Sequence, residues 1–171
     1  MTREGLNAEQ LRAWHSFLRA SVRLLDRLDA DLTPHGLSLA DYEILAHLSA
    51  APDGLRMSEL SDQVLVSRSG LTRRVERLET EGFVRRDRCA TDRRGVLAVL
   101  TTAGRQLLEA AAPTHVEGVR RHFAETVGPR VAVLGDALAD VADSAERPDQ
   151  TSRTGDAQGR YSALRVPSSA T

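Results

Sequence analysis

The side chains best suited to bind an anionic polymer are concentrated in one part of the sequence, from Arg68 to Arg94. This segment contains nine arginines and five acidic residues, so it carries a net charge of +4, whereas the whole chain of 171 residues carries −1. A guanidinium group can form two parallel hydrogen bonds to a phosphate or to the edge of a guanine base. The concentration of positive charge in this segment therefore indicates a contact with nucleic acid. The total charge of the chain alone would not indicate one.

The spacing of apolar residues predicts a helix from Arg68 to about Glu81 within this segment. Leu71, Val75 and Leu78 fall on one side of the helix, which predicts the face packed on the core. The N-terminal half then presents polar residues to solvent, as a recognition helix does in the major groove, and free N–H groups in its first turn favour a phosphate. The candidate DNA-contacting residues of this helix are Ser67, Arg68, Ser69, Thr72, Arg73 and Arg77.

Arg73 is the first candidate for a contact with a base, because it lies on the outer face of this helix. An alternative interpretation is a solvated surface on which Arg73 pairs with Glu76 and Arg77 pairs with Glu81, at the spacings of neighbouring helical turns. Both interpretations stay open for each arginine.

A β-hairpin follows the helix, with strands predicted at residues 83–88 and 96–100 and a loop at 89–95. Arg93 and Arg94 stand at the tip of this loop, where a narrow hairpin can enter the minor groove. Asp92 would be repelled by phosphates unless it pairs with an arginine and maintains the shape of the loop. A simple turn-forming aspartate is the alternative. The hairpin residues assigned to DNA binding are Asp92, Arg93 and Arg94.

Three helices are predicted before this segment. Asn7 and Gln10 resemble a capping box at the start of a long amphipathic helix that ends near Pro34. Ser38 caps a second helix together with Asp41. Ser58 is predicted to cap a short third helix that ends at about Val64, and a tight turn at residues 65–67 then leads into the arginine-bearing helix. The short third helix and the arginine-bearing helix together form a helix-turn-helix.

After the hairpin, a helix is predicted from Thr101 or Thr102 to about Val127, with a kink or break at Pro113. A last helix follows Pro129. The predicted fold class is mainly α with a small β-hairpin wing. The architecture is a winged helix-turn-helix with N- and C-terminal dimerisation helices. We expect a domain over residues 1–146, with the winged helix-turn-helix at 38–100, dimerisation helices at 8–33 and 101–146, and a disordered tail at 147–171.

The composition argues against several other classes of protein. No apolar run is long enough to cross a bilayer and the first residues lack a signal peptide, so we expect a cytoplasmic protein without a membrane partner. The sequence contains no glycine-rich phosphate loop and no recognisable catalytic arrangement, which predicts that it is not an enzyme and uses no cofactor. Cys89 is the only cysteine, so an internal disulfide is impossible.

Several motifs resemble the MarR family of winged helix-turn-helix regulators. They are residues 57–60 (MSEL), 66–73 (VSRSGLTR), and 91–94 (TDRR), the last followed by Leu100, Thr101 and Gly104. The resemblance covers about residues 8–145. It implies a homodimer that binds a pseudopalindromic operator on double-stranded DNA, with the family's wing Asp and Arg at Asp92 and Arg94. It also implies a repressor, and a small phenolic or other anionic aromatic ligand that releases the DNA.

The residues that could line a crevice for this ligand lie between the outer helices and the winged domain. They are Trp14, His15, Leu18, His35, Tyr42 and His115. Trp14 and Tyr42 could instead be ordinary packing residues. The sequence is also compatible with a winged module that binds protein, with a redox-responsive regulator using Cys89, and with a metal-responsive regulator. The five histidines lack the close spacing of metal ligands, however, and no metal site is assigned.

Overall fold

A computed structural model describes residues 5–88 and 96–146, without the side chains of residues 88 and 146. It confirms a mainly helical chain with a small sheet. The helices are α1 (Ala8–Leu32), α2 (Leu39–Ala50), α3 (Met57–Gln63), α4 (Arg68–Thr80), α5 (Thr102–Val119) and α6 (Val131–Glu146), and the strands are β1 (Leu55–Arg56), β2 (Val84–Arg88) and β3 (Val96–Leu100).

Of the three helix caps predicted before the arginine-bearing helix, two are confirmed. Asn7 and Gln10 form a reciprocal capping box on α1, and Ser38 forms one with Asp41 on α2. The prediction for Ser58 is wrong, because α3 begins at Met57 and Arg56 occupies the cap position. The Glu59 carboxylate accepts the Arg56 backbone N–H at 2.8 Å, so the chain passes directly from β1 into the helix.

The sheet contains a strand that the sequence did not predict. Its order is β1-β3-β2, and all pairs are antiparallel. The hairpin strands β2 and β3 agree with the prediction within one residue. β1 pairs Leu55 with Ala98 and Arg56 with Leu97, and two residues are too few to show the alternation by which a strand is recognised.

The core lies where α2, α4 and the sheet meet. Leu71, Val75 and Leu78 of α4 are buried, as the helical spacing predicts. They belong to one apolar cluster with Ile44 and Leu45 of α2. Beyond the helix, Gly82 has φ +80, a left-handed conformation that favours glycine and ends α4 at the predicted place.

Helix α5 continues through Pro113 to Val119, so of the two alternatives predicted there, a kink or a break, the break is wrong. The irregular segment comes afterwards, as a π-helical turn at Arg120–Ala124. α5 packs against both α1 and α2, and this packing supports a helix in which proline lacks one backbone donor. Within the π-helical turn, His122 Nε2 lies 2.9 Å from Asp31 Oδ2 of α1.

The N-terminal half of α1 and the whole of α6 are largely exposed. Trp14 is 50% exposed, and Val133 of α6 is 71% exposed. These helices project from the winged core with apolar side chains that the described chain does not cover. Within residues 5–88 and 96–146, no helix has the length and apolar character needed to cross a membrane.

Candidate DNA-binding surface

The N-terminus of α4 is polar and open to solvent. Ser67 caps the helix, and its hydroxyl accepts the Gly70 backbone N–H at 3.2 Å. The hydroxyl groups of Ser67 and Ser69 are 3.3 Å apart, and the Thr72 hydroxyl donates to the Arg68 carbonyl at 3.0 Å. The structure thus places five of the six predicted residues of this helix on one exposed surface, namely Ser67, Arg68, Ser69, Thr72 and Arg73.

The Arg73 side chain forms no ion pair with any residue in the described part of the chain. Its Nε donates weakly to the Ser69 carbonyl, at 3.4 Å. Glu76, the partner considered in the alternative interpretation, instead lies 3.8 Å from Arg86 of β2. The guanidinium of Arg73 therefore keeps its outer donors available at the surface.

Arg77 is placed differently from the other five residues. Its Nη2 is 2.6 Å from Asp41 Oδ2, and its Nη1 is 2.9 Å from Glu81 Oε1. The alternative pairing with Glu81 is therefore present. The guanidinium holds α4 against α2, with one carboxylate on each of its two terminal nitrogens.

Asp41 is a buried carboxylate, 2% exposed, at the junction of α2 and α4. It accepts the Ser38 backbone N–H at 3.0 Å, contacts the Ser38 hydroxyl and receives Arg74 Nη1 at 3.1 Å. Burial alone would raise the pKa of Asp41, but the Ser38 hydrogen bonds and the positive charge of Arg77 lower it below its usual value. The charge is thus stabilised inside the protein by several donors.

This cluster was not predicted from the sequence. Arg74 has no acidic residue at helical spacing, and its carboxylate partner lies 33 residues earlier in the chain. The Ser38-x-x-Asp41 capping box was recognisable, but it did not show that the free side of the carboxylate faces another helix.

The root of the wing is attached to α4 by an additional set of charges. Arg86 Nε of β2 is 3.2 Å from Glu79 Oε2. On the same strand, Arg85 pairs with Asp87. The acidic residues of α4 are therefore compensated locally, while Arg68 and Arg73 near its N-terminus are exposed and without an ion pair to any described residue.

The wing tip lies outside the described residues. This applies to the predicted DNA contacts Asp92, Arg93 and Arg94, and also to Cys89. Their assignments stay predictions from the sequence.

Three of the six ligand candidates meet beside α5. The rings of Tyr42 and His115 are 4.3 Å apart between centroids, and His35 Nε2 lies 2.8 Å from the Thr114 hydroxyl. Burial raises the pKa of Tyr42 and lowers the pKa of His115. The Nδ1 atom of His115 is buried and has no hydrogen-bond partner among the described residues.

The other three candidates, Trp14, His15 and Leu18, lie in the exposed N-terminal half of α1. Trp14 stacks on Phe17 at 6.0 Å. It is fourteen residues before Leu28, the buried residue of α1 that contacts α5 near Gly118, which places it about 21 Å away along the helix axis. These three residues therefore lie towards the exposed end of α1, away from its buried contact with α5.

Two short helices joined by a tight turn, followed by a hairpin whose root packs on the second helix, define a winged helix-turn-helix protein. Folds of this class present the second helix to the major groove of DNA.

Comparison with known proteins agrees with this class. A model of the MarR family matches residues 35–95. The transcriptional regulator PecS of Dickeya dadantii is 34% identical over 121 residues, which are 69% of this chain and 72% of PecS. The crystal structure of AbsC, a MarR family regulator from Streptomyces coelicolor, has 38% identity and a TM-score of 0.77, and covers 83% of this chain and 97% of AbsC.

A second Streptomyces coelicolor regulator, Sco3205, was solved in complex with DNA. It has 34% identity and a TM-score of 0.76, and the match covers 86% of this chain and 97% of Sco3205. The chain belongs to the MarR family of transcriptional regulators. It is accordingly a DNA-binding regulator and not an enzyme, which confirms both predictions from the sequence.

Proposed function

We propose that this protein is a repressor that acts in the cytoplasm and binds a pseudopalindromic operator as a homodimer. The observation that carries the proposal is the exposed N-terminus of α4, where Arg73 has no ion pair to any described residue while the acids further along the helix are paired. A guanidinium placed in this way can reach base edges without first breaking a salt bridge.

The recognition helix supplies two kinds of contact in this proposal. Arg73 reads a base in the major groove, and Arg68 and Thr72 extend the contact along the same surface. Ser67, Ser69 and the N–H groups of the first turn bind a phosphate and set the position of the helix. Arg77 contributes by holding α4 in place. Arg93 and Arg94 enter the minor groove, with Asp92 shaping the wing.

A second copy of the chain is the proposed partner of the outer helices. The apolar residues Trp14 and Leu18 of α1, and Val133 and Val141 of α6, are exposed, and exposed apolar faces mark sites of protein association. The helices within residues 8–33 and 101–146 therefore form the dimer contact, while residues 38–100 bind DNA. In a two-fold dimer both recognition helices face one side, which matches a pseudopalindrome.

The pair Tyr42–His115 favours a small aromatic or phenolic effector as a second element of the function. His115 offers a buried acceptor or donor without a protein partner among the described residues, and Tyr42 offers a ring at its side. An unsatisfied buried polar atom is costly, so a ligand hydroxyl that bonds to it would gain affinity. His35 lies close to this position, because its Nε2 atom contacts the hydroxyl of Thr114, the residue before His115. In the proposed dimer, the second copy of the chain supplies Trp14, His15 and Leu18 to this site.

Such an effector would release DNA only if it binds more tightly to a dimer whose recognition helices are wrongly spaced. A ligand with equal affinity for both arrangements would not change the fraction of dimers that can bind DNA.

Selection of bound fragments from the source genome tests the proposal. The purified chain is incubated with sheared DNA, and the recovered fragments are sequenced. We expect one enriched pseudopalindrome with half-sites about one helical turn apart, and lower output from a reporter placed behind it when the chain is present. The absence of an enriched motif would contradict operator binding, and a rise in reporter output would contradict repression.

A further inference from the structure

The inner face of β2 leads from the core towards the wing. Side chains alternate along a strand, so Val84 and Arg86 share one face while Arg85 and Asp87 share the other. Val84 is buried in the core, and Arg85 and Asp87 pair with each other on the outer side. Arg86 is therefore the first charged residue beyond the core on the face that packs against α4.

The guanidinium of Arg86 reaches two acidic residues of the recognition helix. Its Nε lies 3.2 Å from Glu79 Oε2, and its Nη2 lies 3.8 Å from Glu76 Oε1. The two glutamates are three residues apart and so occupy one side of α4 on successive turns. A single side chain from the strand thus holds two positions along the helix, which restricts both the distance and the angle between them.

The opposite position on β3 is compatible with this arrangement. Arg86 is paired in register with Ala98, which is fully buried and ends at its Cβ atom. A directly opposed residue lies on the same face of an antiparallel pair. The small side chain of Ala98 leaves the long side chain of Arg86 free to extend across towards α4.

We propose that Arg86 is a positioning residue for DNA binding. It fixes the root of the wing on the recognition helix, through Glu79 above all, so that wing and helix can contact the same operator together. It does so as a partner of the glutamates and not as a ligand of the phosphates. The inference rests on the proposed roles of α4 and the wing in DNA binding.

The exposure of the pair separates this role from a purely structural one. The side chains of Arg86 and Glu79 are each about one-third exposed, and ion pairs of this kind contribute little to folding stability. Loss of the pair should therefore leave the unfolding transition nearly unchanged while it weakens binding to DNA.

The decisive variant is Glu79→Gln, because the two possible roles of Arg86 predict opposite results. If Arg86 positions the wing through Glu79, removal of the carboxylate weakens operator binding, by about threefold to tenfold, although it also removes a negative charge near the DNA. If Arg86 binds phosphate itself, the same change frees the guanidinium and strengthens binding. Glu81→Gln is the matched control, with the same change of charge close to the same helix but no partner on the described part of the wing.

Fluorescence anisotropy with labelled operator DNA measures these effects for the full-length dimer. We expect Glu79→Gln and Arg86→Gln to weaken binding to a similar extent, the double variant to be no weaker than Arg86→Gln alone, Arg86→Lys to retain most of the affinity, and Glu81→Gln to bind at least as well as the wild type. Thermal unfolding of each variant should stay within a few degrees of the wild type.

Wild-type affinity or tighter binding in Glu79→Gln would overturn the proposal, and so would additive losses in the double variant. A wild-type protein that selects no operator at all would instead overturn the proposed function, so the two failures are distinguishable.

Discussion

The carboxylate of Asp41 lies 2.6 Å from the guanidinium of Arg77 and joins the start of α2 to the middle of α4. The same carboxylate receives Arg74 and completes the cap formed by Ser38. One buried charge therefore sets where α4 sits on the core, and the N-terminal surface that carries Arg73 follows from that placement.

Asp41→Asn should destabilise the fold. The variant leaves Arg74 and Arg77 without their common carboxylate, and because both side chains are more than one-third exposed, water recovers part of the loss. We expect the free energy of unfolding to fall by about 1–3 kcal/mol, measured by urea denaturation. Glu81→Gln, which removes an exposed partner of Arg77, should cost less than half as much. Equal effects of the two variants would contradict a central role for Asp41.

Acid should remove the contribution of Asp41. Its pKa is lowered below the ordinary value of 3.8, so the ionised form is favoured in the folded protein. The stabilisation is fully present above the unfolded pKa and disappears as the pH falls through the folded pKa. The difference in unfolding free energy between wild type and Asp41→Asn should be constant from about pH 7 to pH 5 and shrink below about pH 4. A difference that grows on acidification would contradict the assignment.

Gly104→Ala should be among the most damaging small substitutions. A Cβ atom at this position would lie 2.1 Å from the Phe83 carbonyl oxygen, a backbone atom that the hairpin and the Thr101 cap hold in place. We expect a loss of more than about 2 kcal/mol of unfolding free energy. Gly135→Ala in α6 is the control, since nothing lies within 4 Å of its Cβ position, and it should be neutral or slightly stabilising.

Much of the local structure was predictable because its signals are local. Asn7 and Ser38 cap helices at the expected positions, and the spacing of Leu71, Val75 and Leu78 identified the buried face of α4. Gly104 was recognisable in the sequence only as part of a family motif, and the structure supplies its physical reason in the carbonyl of Phe83.

The contacts that organise the candidate site were not predictable in the same way. Asp41 meets Arg74, and Glu79 meets Arg86, only after the chain has folded, and no periodic pattern links such pairs. β1 is a strand because it pairs with β3. Its two residues carry no strand pattern of their own. The division of the ligand candidates between α1 and α5 likewise depends on tertiary placement.

Burial of His115 should make the fold sensitive to mild acid. Burial lowers the pKa of His115 below its ordinary 6.5, so the unfolded chain binds a proton that the folded chain resists. Stability should therefore decrease as the pH falls through about 6.5. His115→Phe removes this contribution, and its unfolding free energy should fall less than that of the wild type between about pH 7.5 and about pH 5.5. An unchanged pH dependence in His115→Phe would contradict the prediction.

In the proposed complex, the N-terminal half of α4 reads the base sequence while the wing adds affinity. This division of roles is tested by comparing Arg73→Ala and Arg94→Ala on the selected operator and on scrambled DNA, with Arg130→Ala, outside the basic segment, as the control. We expect Arg73→Ala to lose roughly tenfold to a hundredfold in affinity for the operator and most of its preference over scrambled DNA. Arg94→Ala should weaken binding to both DNAs with a smaller change in preference. Equal losses that do not depend on sequence for both variants would contradict the claim.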